Sequence, residues 1–146
     1  KLTPAGVIYF QIDEMDMQRI LAYPPTMIGS DGLPHDKHPH PRLWGTFPRV
    51  LGHYCRDLGL FDLETAVHKM TGLPAETFGL KDRGVVREGA HADLVVFDAD
   101  KIRDLATYEQ PLRQSLGIDY VLVNGTLSLT LGNLCPDRGG QVVGRH

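Results

Sequence analysis

A chain of 146 residues, 42% of them apolar, is long enough to bury one core, and nothing in its totals demands a second. Its formal net charge of −3 supplies no basic footprint for nucleic acid and no polybasic segment for a membrane surface. The apolar runs are a handful of residues, far below a membrane span, the first residues lack a signal-peptide pattern, and Cys55 and Cys135 form no CxxC pair or disulfide framework, which together favour the cytoplasm.

Residues 6–10, GVIYF, form a β-rich apolar run expected to be a buried strand. Asp13 then caps a helix to about Ala22, with Glu14 and Asp16 in its first turn and Arg19 near its end, as the helix dipole prefers. Pro24 and Pro25 stop it. Residues 26–28 read as a second buried strand, ended by Gly29, Ser30, Asp31 and Gly32. Strand, helix and strand make one βαβ unit, whose right-handed crossover sets the two strands parallel. An acid at the C-terminal end of such a strand sits where α/β-barrel enzymes keep catalytic groups, which makes Asp31 the first candidate for chemistry. The competing reading is that Asp31 closes an Asx turn with Gly32.

A polar loop follows, with His35, His38, His40, Arg42 and the only tryptophan, Trp44; functional loops have this composition. Those histidines with Asp31 and Asp36 could gather a weak zinc site, but a closed site needs preorganised geometry that spacing alone does not supply. The plainer reading is a solvated loop with His40 bonded locally. Val50, Leu51, Tyr54, Cys55 and Leu58 recur at helical spacing behind Pro48, and Gly59 ends that helix. Asp62 caps another, with Leu63, Ala66, Val67 and Met70 as its buried stripe, His68 on its surface, and Gly72 and Pro74 at its stop. A shorter helical turn is expected over 74–78. From Gly84 the period becomes that of strands: 85–86, 94–97, 120–123, 126–131 and 141–143, with Asn124-Gly125 as a hairpin signal. The change of period near 81–84 divides the chain into 1–83 and 84–146.

In order and spacing, GSDGLP, HPRLWGTFPRVLG, AVHKMTGLPAETFGLKDRGVVREGAHADLVVFD and VNG resemble the C-terminal portion of the N-acyl-D-amino-acid deacylases (D-aminoacylases) of the amidohydrolase superfamily. The likeness covers nearly the whole chain. The RGxVxxGxxADLVVFD stretch is shared across many amidohydrolases, whereas HPRLWGTFPRVLG after SDG is much narrower. The resemblance implies an α/β fold: the C-terminal part of a (β/α)8 metal-dependent hydrolase barrel in 1–83, followed by the C-terminal strands of a small β-sandwich in 84–146. On that template TMIGSD is the last barrel strand, and 6–10 lies at or near the preceding one. A complete barrel takes roughly 250 residues, so the likeness is to a piece of one.

The resemblance further implies a zinc cofactor and hydrolysis of the amide of a small N-acyl-D-amino acid, giving a carboxylate and a D-amino acid. It places Asp31 as general base and acid, and as a candidate zinc ligand. Arg42 falls where the family grips the substrate carboxylate, a task suited to a planar guanidinium; an ordinary surface ion pair is the bland alternative. Tyr9 and Ile12 are weaker candidates for the acyl or side-chain pocket. The other zinc ligands are expected upstream of Lys1, since His38-Pro39-His40 follows the last strand and does not stand in for a first-strand HxH, and neither Cys55 nor Cys135 has a ligand context. The chain alone is then expected to be inactive and to need the missing N-terminal barrel segment or self-association, because absent strands leave edges and apolar faces uncovered. Two other readings stay open: a dihydroorotase- or hydantoinase-like amidohydrolase sharing the ADLVVFD tail, and a non-catalytic oligomerisation module derived from the same fold.

Overall fold

The computed structural model describes residues 7–34 and 37–144. Helices come first and an antiparallel sheet follows. Helix α1 (Glu14–Ala22) starts where Asp13 accepts the Met15 N–H at 2.8 Å and stops at Tyr23, before the two prolines. Helix α2 (Arg42–Arg49) runs without a break into a π-helical segment, Val50–Asp57. Helix α3 (Leu63–Met70) is capped by Asp62, which accepts the Thr65 N–H at 2.8 Å, and helix α4 (Gly72–Phe78) follows after Thr71.

The sequence places a loop up to Pro48 and a helix behind it, but the helix begins at Arg42. A proline inside a helix has no N–H for the carbonyl four residues back, here that of Trp44. Ser115 Oγ donates to the Trp44 carbonyl oxygen at 3.1 Å and takes the missing donor's place. Beyond Pro48 the amides reach back further, as Leu58 N–H does to the His53 carbonyl at 2.9 Å. Gly52 lets this segment lie against the following layer, since a Cβ there would collide with the Ile102 carbonyl oxygen.

Strands β1 (Leu94–Phe97), β2 (Ile118–Val123), β3 (Thr126–Thr130) and β4 (Asn133–Leu134) pair antiparallel in the order β1-β2-β3-β4. The β2–β3 turn has positive φ at both Asn124 and Gly125 (48° and 79°), the backbone that a two-residue type I′ hairpin demands. Arg83 pins this turn: it pairs with Asp93 and donates to Asn124 Oδ1 at 2.9 Å, while Asp93 accepts the Asn124 N–H at 2.8 Å. Burial pushes the Asp93 carboxyl up, but the Asn124 amide and Arg83 outweigh it and hold it below the usual carboxylate range.

The core joins the two halves. Val50, Leu51 and Ala66 pack with Ile102, and Ile28, Met70, Phe97 and Ile118 lie against them. On α3 the buried residues are Ala66 and Lys69; Val67 and Met70 are half-buried and Leu63 is exposed, so only part of the expected stripe turns inward. His68 is exposed, as expected. Between the helices and the sheet lies an apolar cleft of about 630 Å³ walled by Phe47, Leu51, Val67, Met70, Leu94, Val121 and Leu129. The accessible surface is 10570 Å², against about 7,500 Å² for a compact chain of this mass. Large apolar side chains, Phe10, Val86 and Leu134 among them, are left exposed.

Neither early apolar run becomes a strand. Residues 7–10 are exposed, 26–28 are half-buried, and Gly6 lies outside the described residues. A strand exists through its ladder to a neighbour, and among the described residues neither run has one. Thr26 instead folds back on α1, its N–H bonding the Tyr23 carbonyl at 3.0 Å and its hydroxyl that of Ile20 at 2.7 Å. The expected βαβ unit is thus not found among the described residues, whose strand pairs are all antiparallel. Residues 85–86 and 141–143 are not strands either, whereas β4 went unanticipated. No described helix is long and apolar enough to cross a membrane.

Candidate active site

The segment after α1 approaches α3, where Ile28 N–H bonds the Lys69 carbonyl at 3.1 Å. It then turns at Ser30-Asp31-Gly32. Ser30 Oγ accepts the Gly32 N–H at a long 3.4 Å, while the Asp31 carboxylate, which an Asx turn would turn to the N–H two residues on, is engaged by Arg42. Asp31 has φ +47°, the left-handed region that costs a non-glycine residue about 1 kcal/mol. Gly32 allows this turn to touch the start of α2: a Cβ on it would lie 2.8 Å from Leu43 Cδ1 and 3.0 Å from Leu43 Cα.

That approach brings the two leading candidates together. Arg42 Nη2 lies 2.7 Å from Asp31 Oδ2, and Arg42 Nε donates to the Asp31 carbonyl oxygen at 2.8 Å. The Asp31 side chain is 76% exposed and that of Arg42 38%, so the pair stands on an open surface, where an ion pair by itself contributes little to stability. Tyr9 and Ile12, both exposed, line the same cleft as Asp31 and Arg42, which has a volume of about 920 Å³. All four residues singled out in the sequence therefore share one cavity.

His40 is a neighbour whose role is positional. Its Nδ1 accepts the Arg42 N–H at 3.0 Å, which caps the first residue of α2, and its ring meets Tyr108 edge-on, centroids 5.3 Å apart. Burial and the Arg42 charge lower its pKa from the ordinary 6.5, with Asp31 opposing. His38 Nε2 donates to the Tyr108 carbonyl at 2.6 Å, and Phe10 packs on the Tyr108 ring at 5.1 Å. Tyr108 ties three parts of the cleft together, and nothing in its local sequence distinguishes it. The cleft also holds Arg49, paired with Asp104 at 3.4 Å and lying over the Tyr54 ring at 5.7 Å.

Lys69 likewise carries no signal in its local sequence. It is 1% exposed, and its ammonium donates to the carbonyls of Tyr23 (2.6 Å), Pro24 (3.2 Å) and Thr26 (3.2 Å). Burial lowers its pKa.

The described residues do not make a metal cage. Among them, no group of three or more His, Cys, Asp or Glu side chains converges. His38 and His40 turn to Tyr108, and His35 and Asp36, the other members of the loop cluster, lie outside the described residues. Cys55 packs against the core, where burial pushes its thiol up, and Cys135 lies 3.6 Å from Thr130 Oγ1.

The description of the amidohydrolase family matches residues 16–128, which include Asp31, Arg42 and strands β1 and β2. The chain belongs to the amidohydrolase family. Within this family it is 67% identical, over 86% of its length, to D-aminoacylase of Alcaligenes xylosoxydans xylosoxydans, and it covers 26% of that protein. A solved D-aminoacylase with a binuclear metal centre superposes with a TM-score of 0.92 at 60% identity, over 94% of this chain and 29% of the other. The N-acyl-D-glutamate deacylase of Bordetella bronchiseptica, complexed with zinc and a phosphonate that mimics the tetrahedral intermediate, superposes with a TM-score of 0.88 at 51% identity, over 92% and 28% of the respective chains. The likeness to deacylases read from SDG and HPRLWGTFPRVLG thus holds, and this amidohydrolase chain spans about a quarter of the length of the curated relative just named.

Proposed function

We propose that this chain is part of a zinc-dependent N-acyl-D-amino-acid deacylase and supplies its proton-transfer and carboxylate-binding groups. The observation that carries the reading is the contact between Asp31 and Arg42 on the wall of one cleft, in a chain 67% identical to a D-aminoacylase. In the reaction, water oxygen adds to the acyl carbon and the carbon–nitrogen bond breaks. Asp31 takes a proton from that water and passes it to the departing nitrogen, ending ionised as it began. The products are a carboxylate and a free D-amino acid. Arg42 spends Nε and Nη2 on Asp31; its Nη1–Nη2 edge is suited to the substrate's α-carboxylate, held by two parallel hydrogen bonds. Tyr9 and Ile12 line the same cleft and are suited to the acyl or side-chain part of the substrate.

Zinc is the cofactor this reading takes, supported by the zinc complex of the Bordetella relative. Its ligands, Asp31 apart, come from outside the described residues. The same proposal assigns 1–83 to the closing part of a (β/α)8 barrel and 84–146 to the strands of a β-sandwich, and places the protein in the cytoplasm. The uncovered apolar surface supports a further part of it: the chain works only with the rest of the barrel around it, or with copies of itself.

The test is hydrolysis by the full-length protein of N-acetyl-D-amino acids, their L-enantiomers and a cyclic dihydropyrimidine amide. Release of D-amino acids, lost by several powers of ten in Asp31→Asn, is the expected result. Preference for the cyclic amide would favour a dihydroorotase-like enzyme. An unaltered rate in Asp31→Asn would defeat the assignment of that residue.

A further inference from the structure

Lys69 is the one charged side chain that the fold buries outright among the described residues. Taking an ammonium out of water is costly unless its donors are satisfied, and a methionine would fill the same space without that cost. What the lysine adds is three hydrogen bonds, all to main-chain carbonyls of one short segment, those of Tyr23, Pro24 and Thr26. That segment contains Pro24 and Pro25, which have no N–H to tie themselves down. The same residue's carbonyl accepts the Ile28 N–H at 3.1 Å. Lys69 therefore grips residues 23–28 from both its ends, and Asp31 follows directly, in a left-handed backbone conformation that its surroundings must hold.

We propose that Lys69 is a positioning residue for Asp31: it fixes the 23–28 segment so that the carboxylate is presented to the cleft and to Arg42. This rests on the assignment of Asp31 above. A merely structural lysine would affect stability alone. A positioning lysine sets how often the carboxylate is in place, and displacements of about 1 Å can cost a hundredfold in rate.

The experiment compares Lys69→Met, Lys69→Gln and Asp31→Asn in the full-length protein, reading kcat, KM and hydrogen exchange at the amides of Ile28 through Gly32. The expected result for both Lys69 variants is a kcat lower by roughly ten- to a hundredfold with KM changed by less than about threefold, and faster exchange confined to Ile28 and the turn after it. Wild-type kcat in folded Lys69 variants, or unchanged exchange at Ile28, overturns the proposal while leaving Asp31 catalytic if Asp31→Asn is inactive. Failure of both Lys69 variants to fold makes Lys69 a core residue and also overturns it. An active Asp31→Asn removes the deacylase assignment of Asp31, and with it anything for Lys69 to position.

Discussion

Arg42 holds Asp31 by two points, its Nη2 at 2.7 Å from the carboxylate and its Nε at 2.8 Å from the main-chain carbonyl. One contact fixes the charge and the other fixes the backbone, so the guanidinium plane is set before any substrate arrives. A lysine, a single ammonium on a flexible stem, can keep one of these contacts and cannot offer a second parallel edge.

In the full-length enzyme, Arg42→Lys is accordingly expected to raise KM for N-acyl-D-amino acids by roughly tenfold or more. Substrates whose α-carboxylate has been replaced by hydrogen should be affected far less. Steady-state kinetics on the two substrate series checks this; equal effects on both would remove carboxylate binding from Arg42.

Gly32→Ala tests the approach between turn and helix. Its Cβ would press on Leu43 at 2.8 Å from Cδ1 and 3.0 Å from Cα, and the backbone atom cannot step aside. We expect a loss of about 1–3 kcal/mol in stability and of roughly ten- to a hundredfold in kcat/KM as Arg42 is pushed off Asp31. A thermal melt and the kinetics of the same preparation separate the two effects.

The acid side of the pH profile should depend on His40. With its pKa lowered by burial and by Arg42, His40 stays neutral in the fold at a pH where the unfolded chain already binds a proton. Its contribution is complete above 6.5 and is lost as pH falls through the lowered folded value. Protonation removes the Nδ1 acceptor of the Arg42 amide and sets two cations side by side. His40→Asn keeps an acceptor for that amide and cannot titrate, so the variant's melting temperature should fall less than wild type's as the pH drops below 6.5. Parallel curves would show that His40 is not the group.

The 146-residue chain by itself is expected to associate. Tyr9 and Phe10 are 74% and 78% exposed and Val86 88%, and large apolar side chains left in water draw partners. Light scattering on the purified chain should give masses above 16.2 kDa that fall as urea is added; a dilute monomer that remains soluble would contradict the proposal that the chain needs covering.

Residues with a short-range physical signature were legible in the sequence. Asp13 and Asp62 announced helix starts, Gly59 an end, and Asn124-Gly125 a hairpin; each appears in the structure with the bonds or φ values that such residues favour. Leu94–Phe97 was legible to the residue. What failed depended on partners distant in the chain. Residues 7–10 and 26–28 have strand composition but no ladder among the described residues. Arg42 reads as part of a loop because Pro41 precedes it and Pro48 follows within two turns, and only Ser115 explains why a proline inside that helix is tolerated. Nothing near Lys69 signals its role, because a lysine on a short helix is ordinarily solvated and the three carbonyls that bury it lie more than forty positions earlier. Asp31 and Arg42 were singled out separately, and their contact follows from Gly32, whose missing side chain is evident only beside Leu43.

The π-helical segment makes the number of residues between Pro48 and Gly59 a structural quantity. In a helix each residue turns the next by about 100°, so removing one position here would let the segment relax to ordinary helical winding while swinging all that follows it. Leu51 and Tyr54, now inward, could not both stay so, and Gly52 would no longer be the residue facing Ile102. Point substitutions at the outward positions of this stretch should therefore be tolerated where single-residue deletions are not. Length, more than identity, is what natural variation should preserve there.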